Sequence, residues 1–369
     1  MENQINRLLA DVCEQGLRRG VFPGVAAAVS VYREGEYCRG IYSGGITRIG
    51  GNFSKVNGTT YFDLASLTKP LCTTLCALAL LQCGLLDWNE PCLLQLKIDL
   101  PSEKRVITYR HILHHSSGLA AYHPYFSQFV PQASPDNKII IQNLILKEPL
   151  LYEPDTQCLY SDFGFILLGQ IIEQITNLTL DSFYQKIILS PFKLEKKITF
   201  LPVQSSGESV QTAATELCPW RHKVVHGEVH DEHCWFMGGV CGHSGLFGKI
   251  KAVQSLCEQL LDCWQARATH PAFSTDLLRY ALEWKDKKSS WRLGFDSPTP
   301  GLSSSGQYLS PDSVGHLGFT GTSFWIDPEQ EMLIVLLTNR VHPSRKNSKI
   351  REYRPFFHDY LIEGLRRRL

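Results

Sequence analysis

Phe62-Asp63-Leu64-Ala65-Ser66-Leu67-Thr68-Lys69-Pro70 leads directly into Leu71 to Cys83, an uncharged run reading LCTTLCALALLQC and closed by Gly84. A helix that is apolar on every side belongs in an interior. Proline is tolerated in a first helical turn, where its missing N–H would be unpaired anyway, so Pro70 places the helix start near Ser66. Ser66 and Lys69, three residues apart, then share one face of that turn. Burying a lysine is costly unless it has a partner or a task. A serine beside an amine at a helix N-terminus suits nucleophilic catalysis.

The rest of the chain can house such a helix. It has 369 residues, 43% of them hydrophobic and 20% charged, with a formal net charge of +1. That length predicts two packed subdomains or one large domain with an insertion. The neutral balance gives no reason to expect nucleic acid or an anionic membrane as partner. The N-terminal residues lack the basic start and apolar core of an export signal. They read as an amphipathic helix with Ile5, Leu8, Leu9, Val12 and Cys13 on one side. With no bilayer-spanning stretch, a cytoplasmic protein is expected. The twelve cysteines include no Cys-x-x-Cys pair, which favours buried, reduced thiols over a disulfide framework.

Strands are expected at Val25–Val31 and Tyr37–Tyr42 around a Glu34-Gly35 tip. Helices are expected at Ile107–His115, capped by Thr108, and at Ile139–Lys147, Phe163–Ile175 and Leu180–Leu189. Tyr122–Lys138 and Leu201–Thr212 read as loops, and Ala213–Gly248 has no clean period. Helices at Val253–Ala266 and Ser274–Leu282 follow. Strands at His316–Ile326 and Met332–Thr338 and a helix at Pro355–Arg368 end the chain. The pattern predicts an α+β fold: an antiparallel sheet built from both chain ends, flanked by helices, with a mostly helical insertion. The division expected is 1–70 with 250–369 against 71–249, the active site lying between them.

Three motifs stand in order. Ser66-x-x-Lys69 opens the buried helix, Tyr160-Ser161-Asp162 precedes another helix, and His316-Leu317-Gly318 opens a late strand. Together they resemble the serine β-lactamase and penicillin-binding-protein superfamily, in its class C and esterase-like branch. The family has Tyr-x-Asn at the second motif and Lys-Thr-Gly or His-Thr-Gly at the third. Ile107–Leu119 and Phe165–Gly169 resemble flanking segments of the same branch. Ala214–Glu216, Gly227–Glu232, Gly238–Phe247, Gly318–Pro328 and Thr338–Pro343 are similar to a subgroup of hydrolases tied to muropeptide turnover, which includes an N-acetylmuramoyl-L-alanine amidase.

The resemblance implies a β-lactamase/transpeptidase-like fold and acyl transfer through an ester on Ser66, with Lys69 or Tyr160 as the base. It places the oxyanion on the backbone N–H groups of Ser66 and Phe319. It calls for no cofactor or metal. Asp162, His316, Gly318, His230, Asp231 and Arg340 are the substrate-binding candidates. Two departures bear on substrate. Asp162 puts a carboxylate where the family has an amide; close to Lys69, it would favour the ammonium and move the base role toward Tyr160. His316 replaces a fixed cation by an imidazole with an ordinary pKa of about 6.5. That weakens recognition of a terminal carboxylate, although Arg340 could supply part of the charge. The expected activity is cleavage of an amide in a cell-wall-derived muropeptide or small peptide. The alternatives are a D,D-carboxypeptidase, a β-lactamase or a carboxylesterase using the same serine, or a non-catalytic ligand-binding relative. Taken alone, Ser66 and Lys69 could be a cap and a surface lysine, and His316 could simply pack. His226, Glu228, His230, Asp231, His233 and His243 could hold a metal, but their spacing matches no known ligand set on a helix. The oligomeric state is left open.

Overall fold

The computed structural model describes residues 1–51, 53–200, 211–286 and 289–366. In chain order its elements are α1 (Glu2–Arg18), β1 (Gly24–Arg33), β2 (Glu36–Gly45), β3 (Tyr61–Asp63), α2 (Leu75–Gln82), α3 (Tyr109–Leu113), α4 (Asn137–Lys147), α5 (Asp162–Thr176) and α6 (Leu180–Phe183). They continue with β4 (Ile198–Phe200), β5 (Leu217–Cys218), β6 (Lys223–Val224), α7 (Glu232–Phe236), β7 (Leu246–Lys249), α8 (Ile250–Trp264) and α9 (Thr275–Glu283). The last four are β8 (Val314–Leu317), β9 (Ser323–Asp327), β10 (Met332–Thr338) and α10 (Ile350–Arg366).

The main sheet has the order β2-β1-β10-β9-β8, so its centre joins the two ends of the chain. All its pairings are antiparallel, with Val25 opposite Thr338 and Val31 opposite Met332. β1 and β10 are apolar along nearly their whole length because both faces are covered. Ala27, Val29, Ile334 and Leu336 pack beneath α1 and α10. Ala26, Ala28, Val335 and Leu337 belong to a second core that also holds α2, α5 and α8. A smaller sheet, β3-β7-β4, lies at the start of the serine segment.

The stretch after Ser66 is buried as its composition requires: Leu75 to Leu80 are all in the core. Burying each leucine side chain is worth about 1.5–3 kcal/mol. The helix begins near Ser66 as expected, but in three windings. Ala65–Leu67 is a 3₁₀ turn, Lys69–Thr74 is π-helical, and only then does α2 follow. π-Turns of this kind are rare and concentrate at functional sites. Thr108 caps α3 through a capping box with His111, whose Nδ1 accepts from the Thr108 N–H at 3.2 Å.

Three expectations need correction. The strand expected at His316–Ile326 is two strands, β8 and β9, joined by a tight turn in which Gly318 N–H donates to Thr322 O at 2.7 Å. Gly321 adopts φ +103 there, a conformation open to glycine. The last helix starts at Ile350, with Pro355 inside it, and the residues beyond Arg366 lie outside those described. The 107–115 helix is shorter, ending at Leu113. Of the loop expected at Leu201–Thr212, positions 201–210 also lie outside the described residues. Among the described residues no single helix is long and apolar enough to cross a membrane.

Candidate active site

The serine sits on a backbone held under strain. Ala65, immediately before it, has φ +48, a left-handed conformation costly for a residue with a Cβ. The buried Asp63 carboxylate holds this turn by accepting from Ala65 N–H at 2.8 Å and from His230 N–H at 2.7 Å. The turn between β8 and β9 is stitched to the same segment. Thr320 Oγ1 donates to Asp63 O at 2.8 Å, and Thr322 Oγ1 to Leu64 O at 3.1 Å. These two hydroxyls bring Phe319 to the wall of the cavity that Ser66 lines. Among the described residues the Phe319 N–H donates to no protein group, so it is available to an incoming oxygen.

Lys69 is wholly buried and makes three contacts. Its Nζ lies 3.1 Å from Ser66 Oγ, 2.6 Å from Asp162 Oδ1 and 3.2 Å from the His243 carbonyl oxygen. Burial pushes its pKa down, but Asp162 and Tyr160 outweigh that, and the net shift is upward. The Tyr160 ring centroid is 4.8 Å from Lys69 Nζ, and among the described residues its buried hydroxyl has no hydrogen-bond partner. Burial raises the Tyr160 pKa; Lys69 opposes this only in part. The resting pair is therefore an ammonium and a phenol. The cation does loosen the phenol's proton, but burial outweighs it.

The element ends aim these groups. Ser161 Oγ caps α5 by accepting from Gly164 N–H at 3.4 Å and donates to Ala120 O at 2.6 Å, setting Tyr160 and Asp162 on either side of the cap. His115 supports Tyr160 from below, with ring centroids 4.7 Å apart. Its Nδ1 accepts from Ser161 N–H at 3.1 Å. Trp291 stacks on Tyr160 at 5.2 Å and 28°.

The cavity measures about 280 Å³ and is lined by Ser66, Tyr160, Asp162, His230, Asp231 and Phe319, all singled out in the sequence, and by Tyr122, Glu232, His243 and Arg345 among others. His316, Gly318 and Arg340 stand elsewhere, unlike the positions expected of substrate contacts. His316 is buried behind Tyr160 and Trp291, with Nδ1 on Leu317 O at 2.8 Å. Burial and the Lys69 charge push its pKa down to about 3, so it is neutral. Gly318 is filled in by its own turn; a Cβ there would meet Thr322 Oγ1 at 1.9 Å. Arg340 spends its guanidinium on backbone oxygens of Phe319, Arg345 and Asn347. Arg345 does line the wall, held by Glu216 (2.6 Å) and by Glu232.

Apart from His233, whose buried Nε2 meets no partner among the described residues, the histidines and carboxylates of 226–243 pair with neighbours rather than gathering around one point. His230 meets Glu216 at 3.1 Å, His243 meets Asp231 at 2.9 Å, and His226 meets Thr212 O at 3.0 Å. Among the described residues, the only ligand atoms of metal-binding type that converge are those of His114, Cys158 and Asp286. There the Cys158 sulfur lies 3.6 and 3.9 Å from the two ring nitrogens of His114. A ligand sharing a metal with one nitrogen would lie far closer to that nitrogen than to the other. Sequence reasoning missed the parts played by Asp63, His115, Trp291 and Arg345. Asp63 and His115 stood next to recognised motifs; Trp291 and Arg345 carried no local signal.

Comparison with known proteins agrees with this architecture. A family model described as Beta-lactamase matches residues 9–355. Over 319 residues the chain is 34% identical to a Salmonella enteritidis protein named "Putative D-alanyl-D-alanine carboxypeptidase", an alignment covering 79% of this chain and 72% of that one. Among solved structures, an octameric penicillin-binding protein homologue from Pyrococcus abyssi superposes with a TM-score of 0.73 at 18% identity, covering 97% of this chain and 77% of the other. EstCE1, a hydrolase with promiscuous acyltransferase activity, superposes with a TM-score of 0.74 at 16% identity, covering 96% and 99%. At these identities the two structures attest the fold.

Proposed function

The chain belongs to the Beta-lactamase family, and from that premise we propose that this serine hydrolase cleaves an amide bond in cell-wall-derived muropeptides. In the proposed reaction Ser66 Oγ attacks the amide carbonyl, and the deprotonated form of Lys69 or Tyr160 takes its proton. The new oxyanion rests on the N–H groups of Ser66 and Phe319. The C–N bond then breaks, the leaving amine receives the proton, and water releases the acyl group from Ser66.

One observation carries the preference for an internal amide over a substrate anchored by a terminal carboxylate. His316, at the motif position where the family has lysine or histidine, is buried and neutral, and Arg340 is committed to backbone carbonyls. Arg345 faces the cavity but is neutralised by Glu216 and Glu232. A free carboxylate would therefore meet no unmatched positive charge. The segments similar to the muropeptide amidase subgroup supply the substrate. The twelve cysteines are all free, which supports a reducing, cytoplasmic setting where recycled fragments occur. The names of the Salmonella relatives favour a second reading, a D-alanyl-D-alanine carboxypeptidase.

Wild type and Ser66→Ala, incubated with N-acetylmuramoyl-L-alanyl-D-glutamate, a pentapeptide ending in D-Ala-D-Ala, a fluorescent penicillin and a nitrophenyl ester, separate these readings. Release of L-Ala-D-Glu by the wild type, reduced by at least ~10³-fold in Ser66→Ala, is the expected outcome. Release of D-alanine with the muropeptide left intact would establish the second reading instead.

A further inference from the structure

The cavity wall beyond Ser66 combines charged side chains that are already matched with two aromatic rings that are not covered. Arg345 donates through Nε to Glu216 Oε2 at 2.6 Å and through its N–H to Glu216 Oε1 at 3.1 Å, and its Nη2 reaches Glu232 Oε1. His230 adds a contact to Glu216 Oε2 at 3.1 Å, and His243 pairs with Asp231 Oδ1 at 2.9 Å. An anionic ligand group would displace none of these pairs without leaving a carboxylate unmatched. An ammonium would have to sit beside Arg345 and His243. A neutral ligand faces neither cost.

Hydrogen-bonding capacity nevertheless remains. The bonds to Asp231 converge on Oδ1, from Cys234 N–H at 2.8 Å and from His243, and the bond to Glu232 falls on Oε1. Among the described residues Asp231 Oδ2 and Glu232 Oε2 accept nothing, and Arg345 Nη1 donates nothing. These acceptors and this donor thus belong to residues that line one cavity, each side chain held by its other atoms. Neighbouring hydroxyls, which both donate and accept, are the groups that match such an alternation.

The aromatic part of the wall points the same way. Tyr122 is 44% exposed and Phe319 is 48% exposed, and both line the cavity. Phe319 is fixed in place: the His230 ring stacks on it at 5.5 Å and 24°, and the Arg340 guanidinium lies 4.7 Å from its centroid. A rigid, partly uncovered aromatic surface gains by contact with the C–H face of a ring. A cavity of about 280 Å³, near the lower end of the ~300–1,000 Å³ usual for small-molecule sites, has room for one ring.

We propose that Tyr122, Asp231, Glu232, Phe319 and Arg345 form a subsite for a neutral, hydroxyl-bearing pyranose on the acyl side of the scissile amide. This rests on the amidase reading for its place in the reaction, and on the geometry of the wall for its chemistry.

Calorimetric titration of the full-length Ser66→Ala protein with the N-methylamide of N-acetylmuramic acid tests it without turnover. Saturable binding is expected, at least tenfold tighter than that of D-lactic acid N-methylamide, which keeps the amide and lacks the sugar. Tyr122→Ala and Glu232→Gln, each made in the Ser66→Ala background, are expected to weaken sugar binding tenfold or more. Should Glu232→Gln fail to fold once Arg345 loses its partner, Tyr122→Ala, at an exposed ring, decides. Equal affinity for the two amides, or affinity unchanged in Tyr122→Ala, overturns the subsite. Sugar binding by a chain whose wild type leaves N-acetylmuramoyl-L-alanine intact upholds the subsite and refutes the amidase reading. Hydrolysis of that amide without sugar preference does the reverse.

Discussion

A single carboxylate decides how the lysine of this site behaves. Asp162 lies 2.6 Å from Lys69 Nζ, where the family motif has an asparagine. Burial works against the Lys69 charge, and Asp162 is the first of the groups that overcome it. Replacing that carboxylate by an amide of the same shape removes the opposing charge and lowers the Lys69 pKa. If Lys69 is the base, activity requires its neutral form, so the acidic limb of kcat/KM should move down by at least about one pH unit in Asp162→Asn. A pH–rate profile on a nitrophenyl ester checks this. Because Asp162 also raises the Tyr160 pKa, a limb that stays in place would show that neither Lys69 nor Tyr160 sets it. Residue identities at this scale were legible early: Ser66, Lys69, Tyr160 and Asp162 stand in contiguous motifs. Arg345 was not, because its partners Glu216 and Glu232 are more than a hundred positions away.

At the scale of elements, the site depends on how closely α5 approaches the segment before β7. Gly169 of α5 faces Gly242, and a Cβ on Gly169 would meet Gly242 N at 2.8 Å and its Cα at 2.9 Å. Both obstacles are backbone and cannot rotate away. The neighbouring His243 carbonyl accepts from Lys69 at 3.2 Å, and Thr73 Oγ1 donates to Gly242 O at 2.6 Å. Gly169→Ala should therefore cost about 1–3 kcal/mol of stability and lower kcat by displacing that carbonyl. Chemical denaturation and steady-state kinetics on the same preparation test both effects. Helical periodicity located α4, α5, α8 and α9 to within a few residues. The strand expected across 316–326 was wrong at Gly318-Phe319-Thr320-Gly321-Thr322, a turn held by hydrogen bonds to Asp63 and Leu64.

Across the whole molecule, the pair of Asp231 and His243 couples folding to pH. Burial would push the His243 imidazole down, but Asp231 outweighs it and raises the pKa from 6.5 to about 10. The same pairing outweighs burial at Asp231 and holds its carboxyl well below the ordinary 3.8. A raised histidine contributes stability in full below its unfolded value and loses it as pH rises toward 10. A depressed carboxylate contributes above its unfolded value and loses it in acid. The pair should therefore stabilise most between about pH 4 and 6.5. The Tm deficit of His243→Gln against wild type should be largest near pH 5.5 and shrink steadily toward pH 10. A deficit independent of pH would show that the imidazole acts by packing alone. Because no three ligand atoms of 226–243 converge on one point among the described residues, a chelator should leave hydrolysis unchanged, as assay with and without chelator will show.

The sequence by itself determined the architecture and the candidate nucleophile. Apolar strands at both ends with helices between them can bury their faces by joining the ends in one sheet, and a serine and lysine one turn apart on a buried helix share a face by helical geometry alone. Tertiary structure decided which groups line the cavity. His316 faces inward behind Tyr160, Arg340 is taken up by carbonyls, and Arg345, His243, Tyr122 and Glu232 reach the cavity from separate segments. Local patterns set which face of an element is buried; only long-range packing sets which distant side chains come to share a cavity.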